Sequence, residues 1–139
     1  MFVRLALLFA WMTSTCLAAG TSMSPAELAA LIESHKAPLV LDVRSDEEFA
    51  QGHIPGAVLI PHDQLETRIG ELGEPREVVV YCRSGRRSGL IQPVLEKNGF
   101  KVRQLEGSWQ AWQAAKLPEE LPEKEPAPEK SPAASSAKP

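Results

Sequence analysis

The sequence predicts an α/β fold: one domain over residues 21–117 with a mainly parallel central sheet and helices on both faces. Short apolar runs of strand length alternate there with helix signals. The runs 39–43 and 78–81 are almost continuously apolar, as in strands covered on both sides. A domain of this size can bury a core without disulfide bonds.

The first part of the domain is predicted to contain two helices and a strand. Ser24 and Glu27 have the spacing of a capping box at the start of the first helix. Residues 39–43 follow as a buried strand. Ser45 and Glu48 repeat the capping pattern before a short second helix.

The middle of the domain continues the alternation. Residues 57–60 are predicted to form the second strand. Asp63, with Glu66 three residues later, is predicted to cap a third helix. Residues 78–81 form the third strand.

The last part adds two helices and a strand. The first of these helices is predicted over residues 88–98, with Gly99 as its stop. Residues 100–105 alternate like a fourth strand. Gly107 and Ser108 open a final helix, on which Trp109 and Trp112 are predicted to serve as core or pocket wall.

Cys82 is the candidate catalytic residue because of its position and its charged neighbours. It directly follows the strand 78–81, and ligands of parallel sheets bind beyond the carboxyl ends of the strands. Asp42 and Arg44 lie at the equivalent end of the first strand. Three arginines surround the cysteine in a chain of formal net charge −3, and nearby positive charge favours a thiolate.

The residues after Cys82 are predicted to form an anion-binding loop. Gly85 allows a tight turn, in which successive backbone N–H groups can point at one anion, and the following helix adds its positive end. A fall of about two units in the thiol pKa would make thiolate the majority form at pH 7. The candidate substrate-binding residues are Arg83, Ser84, Gly85, Arg86, Arg87 and Ser88.

The spacing within this loop indicates which anion it binds. Cysteine-dependent phosphatases and the related arsenate reductases have an arginine six positions after the cysteine. Here that position is Ser88, and the nearest arginine, Arg87, comes one place earlier. The loop is therefore one residue shorter than the phosphate-binding loop of those enzymes. It suits a smaller bound group, such as the outer sulfur of a cysteine persulfide.

The two ends of the chain differ from the domain. Residues 1–20 have the order of a secretory signal peptide: Arg4, an apolar run too short for a membrane span, and small residues. Its removal would leave Cys82 as the only cysteine; lipidation of Cys16 is the alternative. Residues 118–139, with six prolines, are expected to be a disordered tail.

Several classes of partner are not expected. The acidic net charge argues against general nucleic-acid binding. His35, His53 and His62 lack the spacing of metal ligands, so neither a metal nor another cofactor is expected. Without a retained apolar span, no stable membrane insertion is expected.

The chain resembles the single-domain rhodaneses. The resemblance rests on three separated motifs, over residues 41–61, 82–88 and 105–112, and covers about residues 22–117. Many members of the family have a second glycine where Ser108 stands. With its signal peptide, the chain is most similar to the periplasmic thiosulfate sulfurtransferases of the phage shock protein E type.

The resemblance implies a mechanism and a location. The Cys82 thiolate would take a sulfur from a donor such as thiosulfate and pass it from a persulfide to cyanide or a thiol. Backbone N–H groups of residues 83–88 would stabilise the sulfur, Arg86 or Arg87 would hold the sulfonate, and Asp42 and Arg44 would support the loop. A monomer in the periplasm is expected, with a small-molecule donor and acceptor or a thiol-bearing protein acceptor. A persulfide carrier or redox partner and a non-enzymatic binding module remain as alternatives.

Overall fold

Five parallel strands form the central sheet in the order β1-β5-β4-β2-β3. The computed structural model describes residues 21–122, so the expected signal peptide and residues 123–139 of the expected tail lie outside it. The strands are β1 Ser22–Met23, β2 Leu39–Asp42, β3 Val58–Leu59, β4 Glu77–Tyr81 and β5 Lys101–Leu105. The helices are α1 Pro25–Glu33, α2 Asp46–Ala50, α3 Leu65–Arg68, α4 Arg86–Lys97 and α5 Ser108–Ala114, and a 3-10 turn follows α3 at Ile69–Leu72.

Helices cover both faces of the sheet, as the sequence predicts. Strand residues alternate between the two faces, so that Val78 and Val80 enter one apolar cluster and Val79 and Tyr81 enter the other. The first cluster includes apolar side chains of α3 and α4, and the second includes those of α1 and α5. The sheet is thus the middle layer of three.

The local capping predictions have mixed outcomes. Ser45 and Glu48 form the predicted capping box: the Ser45 hydroxyl accepts the Glu48 N–H at 3.3 Å, and the Glu48 carboxylate accepts the Ser45 N–H at 3.0 Å. The predicted cap at Asp63 is wrong. Helix α3 begins at Leu65, after Gln64, and has no side-chain cap.

Helix α4 begins at Arg86, two residues before the predicted start at residue 88. Gly85 precedes it with φ +101°, a left-handed conformation that a side chain would strain. The Ser88 hydroxyl donates to the Gly85 carbonyl at 3.1 Å. The sharp turn at Gly85 therefore ends the loop earlier and places Arg86 and Arg87 in the first helical turn.

The last described residues form a clasp, defined here as residues 118–120, which lie beyond the domain limit expected at residue 117. Glu120 and His53 exchange backbone hydrogen bonds of 2.9 and 2.8 Å as an antiparallel bridge. The Trp112 indole N–H donates to the Pro118 carbonyl at 3.0 Å. The folded contacts therefore extend three residues past the expected limit.

No helix within residues 21–122 is long and apolar enough to cross a membrane.

Candidate active site

The Cys82 side chain lies immediately beyond β4, inside the predicted loop. The residue is 1% exposed. Its sulfur accepts the Gly85 backbone N–H at 3.0 Å, a contact that the left-handed turn at Gly85 brings about. The structure therefore places the thiol inside the loop, with backbone donors directed at it.

The surroundings of Cys82 favour its thiolate form. Burial raises the pKa of the thiol, but hydrogen bonds from the backbone N–H groups of Ser88, Gly85 and Ser84, and from the Ser88 hydroxyl when it turns from the Gly85 carbonyl to the sulfur, outweigh that effect. The net result is a pKa below the ordinary value. Backbone amides and one hydroxyl, rather than guanidinium groups, are thus the main groups that lower this pKa.

Helix α5 holds the loop from the other side. The first N–H groups of a helix have no partner within the helix. Here the Trp109 N–H donates to the Cys82 carbonyl at 3.0 Å, and the Gln110 N–H donates to the Arg83 carbonyl at 3.1 Å. The loop carbonyls thereby cap α5, and α5 fixes the orientation of the loop.

Ser108 adds a third contact between α5 and the loop. Its hydroxyl accepts the Cys82 N–H at 3.4 Å, and the residue is fully buried. Its φ of +52° lies in the left-handed region that favours glycine. This backbone angle gives a physical reason why a glycine would also suit this position.

Arg87 is bound to a carboxylate of α2. Its two terminal nitrogens donate to the two Glu48 oxygens, both at 2.8 Å, and each side chain is 27% exposed. The hydrogen bonds from Arg87 are the main cause that lowers the pKa of Glu48 to about 2. Arg87 therefore ties the loop to α2 and has little freedom to hold a substrate anion.

Arg83 and Arg86 differ from Arg87 because both side chains are exposed. Neither forms an ion pair with any residue in the range 21–122. Of the three predicted arginines, these two have guanidinium groups available to a ligand. Ser84 is also exposed, and its backbone N–H rather than its hydroxyl contributes to the thiol environment.

Asp42 and Arg44 form a buried ion pair next to the site. Arg44 donates to both Asp42 oxygens at 2.7–3.0 Å and to the Gly52 carbonyl at 2.8 Å. Its guanidinium carbon lies 4.5 Å from the ring centre of Trp109 and 5.4 Å from that of Tyr81. The pair thus connects the ends of β2 and β4 to α5.

Several residues that complete the site could not be identified from the sequence. Glu48 was predicted only as a cap, and Ser108 only as a helix start. A cavity of about 240 Å³ borders the loop and is lined by Arg44, Glu48, Gln51, Arg83, Trp109 and Gln113. No local pattern joins these residues, since they come from four separate segments. Within residues 21–122, no group of His, Cys, Asp and Glu could hold a metal ion.

Several known proteins with similar sequences are named as sulfurtransferases or as a sulfur carrier. The "Putative sulfurtransferase YtwF" of Bacillus subtilis is 37% identical over 97 residues, which cover 70% of this chain and 94% of the relative. A "Sulfurtransferase" of Allochromatium vinosum is 40% identical over 86 residues, covering 61% and 80%. The "Putative sulfur carrier protein YrkF" of Bacillus subtilis is 43% identical over 70 residues, but the match spans 50% of this chain and 38% of YrkF.

Solved structures agree with this relationship. A rhodanese-related protein from Thermoplasma volcanium superposes with a TM-score of 0.64 at 31% identity, covering 72% of this chain and 97% of the other. A structure titled "Probable Thiosulfate Sulfurtransferase" gives a TM-score of 0.61 at 35% identity, covering 71% and 47%. Residues 24–115 match the rhodanese-like domain family. The chain therefore belongs to the rhodanese-like domain family.

Proposed function

We propose that this protein is a thiosulfate sulfurtransferase that carries the transferred sulfur as a persulfide on Cys82. One observation carries the proposal: the Cys82 sulfur lies within 3.0 Å of the Gly85 N–H in a loop that lowers the thiol pKa. The same amides can stabilise the negative outer sulfur of a persulfide. The sulfurtransferases among the relatives support this reading.

The reaction divides into two nucleophilic steps. In the first, the Cys82 thiolate attacks the outer sulfur of thiosulfate; the new S–S bond forms as the old one breaks, and sulfite leaves with the electron pair. In the second, cyanide or a thiolate attacks the outer persulfide sulfur, and Cys82 leaves as a thiolate. No general base is needed, because neither step transfers a proton. Ping-pong kinetics are expected.

The arginines have separate tasks in this proposal. Arg83 and Arg86 are the exposed cations next to the loop and attract the dianionic donor. Arg87, which the sequence analysis offered as a sulfonate ligand, instead keeps the loop in place through Glu48. Its position also disfavours phosphatase chemistry, since the nearest candidate for a phosphate-binding arginine is already paired.

Mass spectrometry tests the proposal directly. Purified protein incubated with thiosulfate should gain one sulfur atom on Cys82, and cyanide should remove that sulfur as thiocyanate. The Cys82→Ser variant, checked for folding by circular dichroism, should gain none. An unmodified Cys82 in folded protein at high thiosulfate concentration would contradict the proposal.

A persulfide carrier is the second candidate, because one relative is named a sulfur carrier protein. A carrier shares Cys82 but exchanges sulfur with other proteins, so thiosulfate and cyanide would give only slow turnover. We further propose that the mature protein acts as a monomer in the periplasm, as a member of the phage shock protein E type. Fractionation of cells and N-terminal sequencing of the mature chain test the location and the fate of Cys16.

A further inference from the structure

The cavity beside the loop is larger than an inorganic sulfur donor such as thiosulfate. Its volume is about 240 Å³, several times the roughly 30 Å³ that one water molecule occupies in the liquid. Thiosulfate has only five heavy atoms. Cys82 itself does not line the cavity, but its neighbour Arg83 does. The space therefore suits the body of a larger molecule whose reactive end reaches the loop.

Arg44 contributes a buried donor to this cavity. The residue is 2% exposed, and its Nε and Nη2 atoms bind Asp42 and Gly52. Its Nη1 atom takes part in none of these hydrogen bonds. Because no fully buried side-chain nitrogen within residues 21–122 lacks a partner, Nη1 keeps some contact with solvent, and Arg44 is one of the residues that line this cavity.

The charges around the cavity favour an anion. Glu48 is the one carboxylate in its wall, and Arg87 neutralises it. Asp42 balances Arg44, which leaves the unpaired charge of Arg83 as the net positive charge. The exposed amides of Gln51 and Gln113 add neutral donors and acceptors at the wall.

We propose that this cavity binds the carboxylate of a small organic thiol that accepts sulfur from Cys82; the proposal rests on the proposed function. The carboxylate lies between Arg44 Nη1 and the Arg83 guanidinium, while the thiolate sulfur faces the persulfide. In the transfer, Cys82–S–S⁻ + R–S⁻ → Cys82–S⁻ + R–S–S⁻, one S–S bond forms as another breaks, and Cys82 keeps the electron pair. No oxidant or reductant is consumed.

A single-turnover experiment with two matched acceptors tests this inference. Protein is first loaded with thiosulfate and desalted. Its persulfide is then discharged with 3-mercaptopropionate or with the neutral amide of that thiol, and the rates are compared at equal thiolate concentration. The carboxylate should react about tenfold faster, as expected when one charge-assisted hydrogen bond is gained in the transition state.

Variants of two exposed arginines identify the source of that preference. Arg83→Gln should reduce the ratio of the carboxylate rate to the amide rate to a value between about 1 and 2. Arg86→Gln removes the same charge from the same loop but lies outside the cavity wall, so both rates should change by one common factor. Gln113→Glu, which adds a negative charge to the wall, should make the neutral amide the faster acceptor.

Three outcomes would overturn the inference. The first is equal rates for the two thiols in the native protein. The second is an equal loss of preference in Arg83→Gln and Arg86→Gln, which would indicate a general charge effect. The third is a loss of thiosulfate loading in Arg83→Gln with the thiol preference intact, which would make the cavity a donor site. Failure to form any persulfide is a different result, because it overturns the proposed function as well.

Discussion

Arg87 and Glu48, 39 positions apart in the chain, form a two-point ion pair with both N–O distances at 2.8 Å. The same Glu48 carboxylate accepts the Ser45 N–H and so completes the cap of α2. One carboxylate therefore holds both the start of α2 and the first turn of α4. This double role makes Glu48 a positioning residue for the loop, although it is not expected to touch the sulfur.

Glu48→Gln should lower stability in a pH-dependent way. The folded-state pKa of Glu48 is about 2, below the ordinary value of 4.5, so its carboxylate contributes stability above pH 4.5 and loses that contribution as the pH falls toward 2. At neutral pH the variant should lose about 1–2 kcal/mol of unfolding free energy, and urea titrations from pH 7 to 2.5 should show the difference shrinking. Glu71→Gln, which breaks the exposed pair with Arg68, is the control and should have a smaller effect.

Ser88→Ala should reduce the reactivity of Cys82. The variant keeps the Ser88 backbone N–H but removes the hydroxyl that helps to lower the thiol pKa. The pKa of Cys82 should therefore rise, and alkylation by iodoacetamide at pH 7 should slow several-fold. The pH dependence of the alkylation rate measures this shift. Ser84→Ala keeps the backbone donor at Ser84 and should leave the midpoint unchanged; equal shifts in the two variants would contradict the role of the Ser88 hydroxyl.

Glycine should be better tolerated than alanine at position 108. Both substitutions remove the hydroxyl that accepts the Cys82 N–H. Alanine keeps the strain of φ +52°, whereas glycine adopts this angle without strain. Ser108→Gly should therefore be about 1 kcal/mol more stable than Ser108→Ala in chemical denaturation, the reverse of the order in an ordinary helix. Greater stability of the alanine variant would show that the left-handed conformation is not maintained.

The clasp should contribute to stability. A chain that ends at residue 117 lacks the Trp112–Pro118 hydrogen bond and the His53–Glu120 bridge, whereas a chain that ends at residue 122 keeps both. The shorter chain should be less stable by about 1–3 kcal/mol, because it lacks three hydrogen bonds that contribute about 1 kcal/mol each. Thermal unfolding of the two truncated chains, side by side, measures this difference. Equal melting temperatures would limit the domain to residue 117.

Much of the fold could be predicted from the sequence because the responsible signals are local. Apolar runs located β2 and β4, and the Ser45–Glu48 spacing located the start of α2. Strand β1 was missed because two residues, Ser22 and Met23, are too few to show a period. The Asp63 prediction failed because the chain does not enter the helix until Leu65, so that Gln64 occupies the capping position.

The site was less predictable than the fold. Cys82 and Gly85 could be identified from the sequence because the cysteine and the glycine that allows the turn lie within four residues of each other. The task of each arginine could not be predicted, since it depends on which distant carboxylate each guanidinium meets. Glu48 pairs with Arg87 only after β2 and β4 become neighbours in the sheet. The contact of Arg44 with the Gly52 carbonyl and with Trp109 likewise results from packing between segments.

The hydrogen bonds from α5 to the loop have a consequence for timing. The Cys82 and Arg83 carbonyls depend on N–H groups at residues 109 and 110, near the end of the described domain. In a nascent chain that does not yet include residues 109 and 110, Cys82 lacks these contacts. We therefore expect the cysteine to behave as an ordinary thiol throughout synthesis and to become reactive only when the last helix docks.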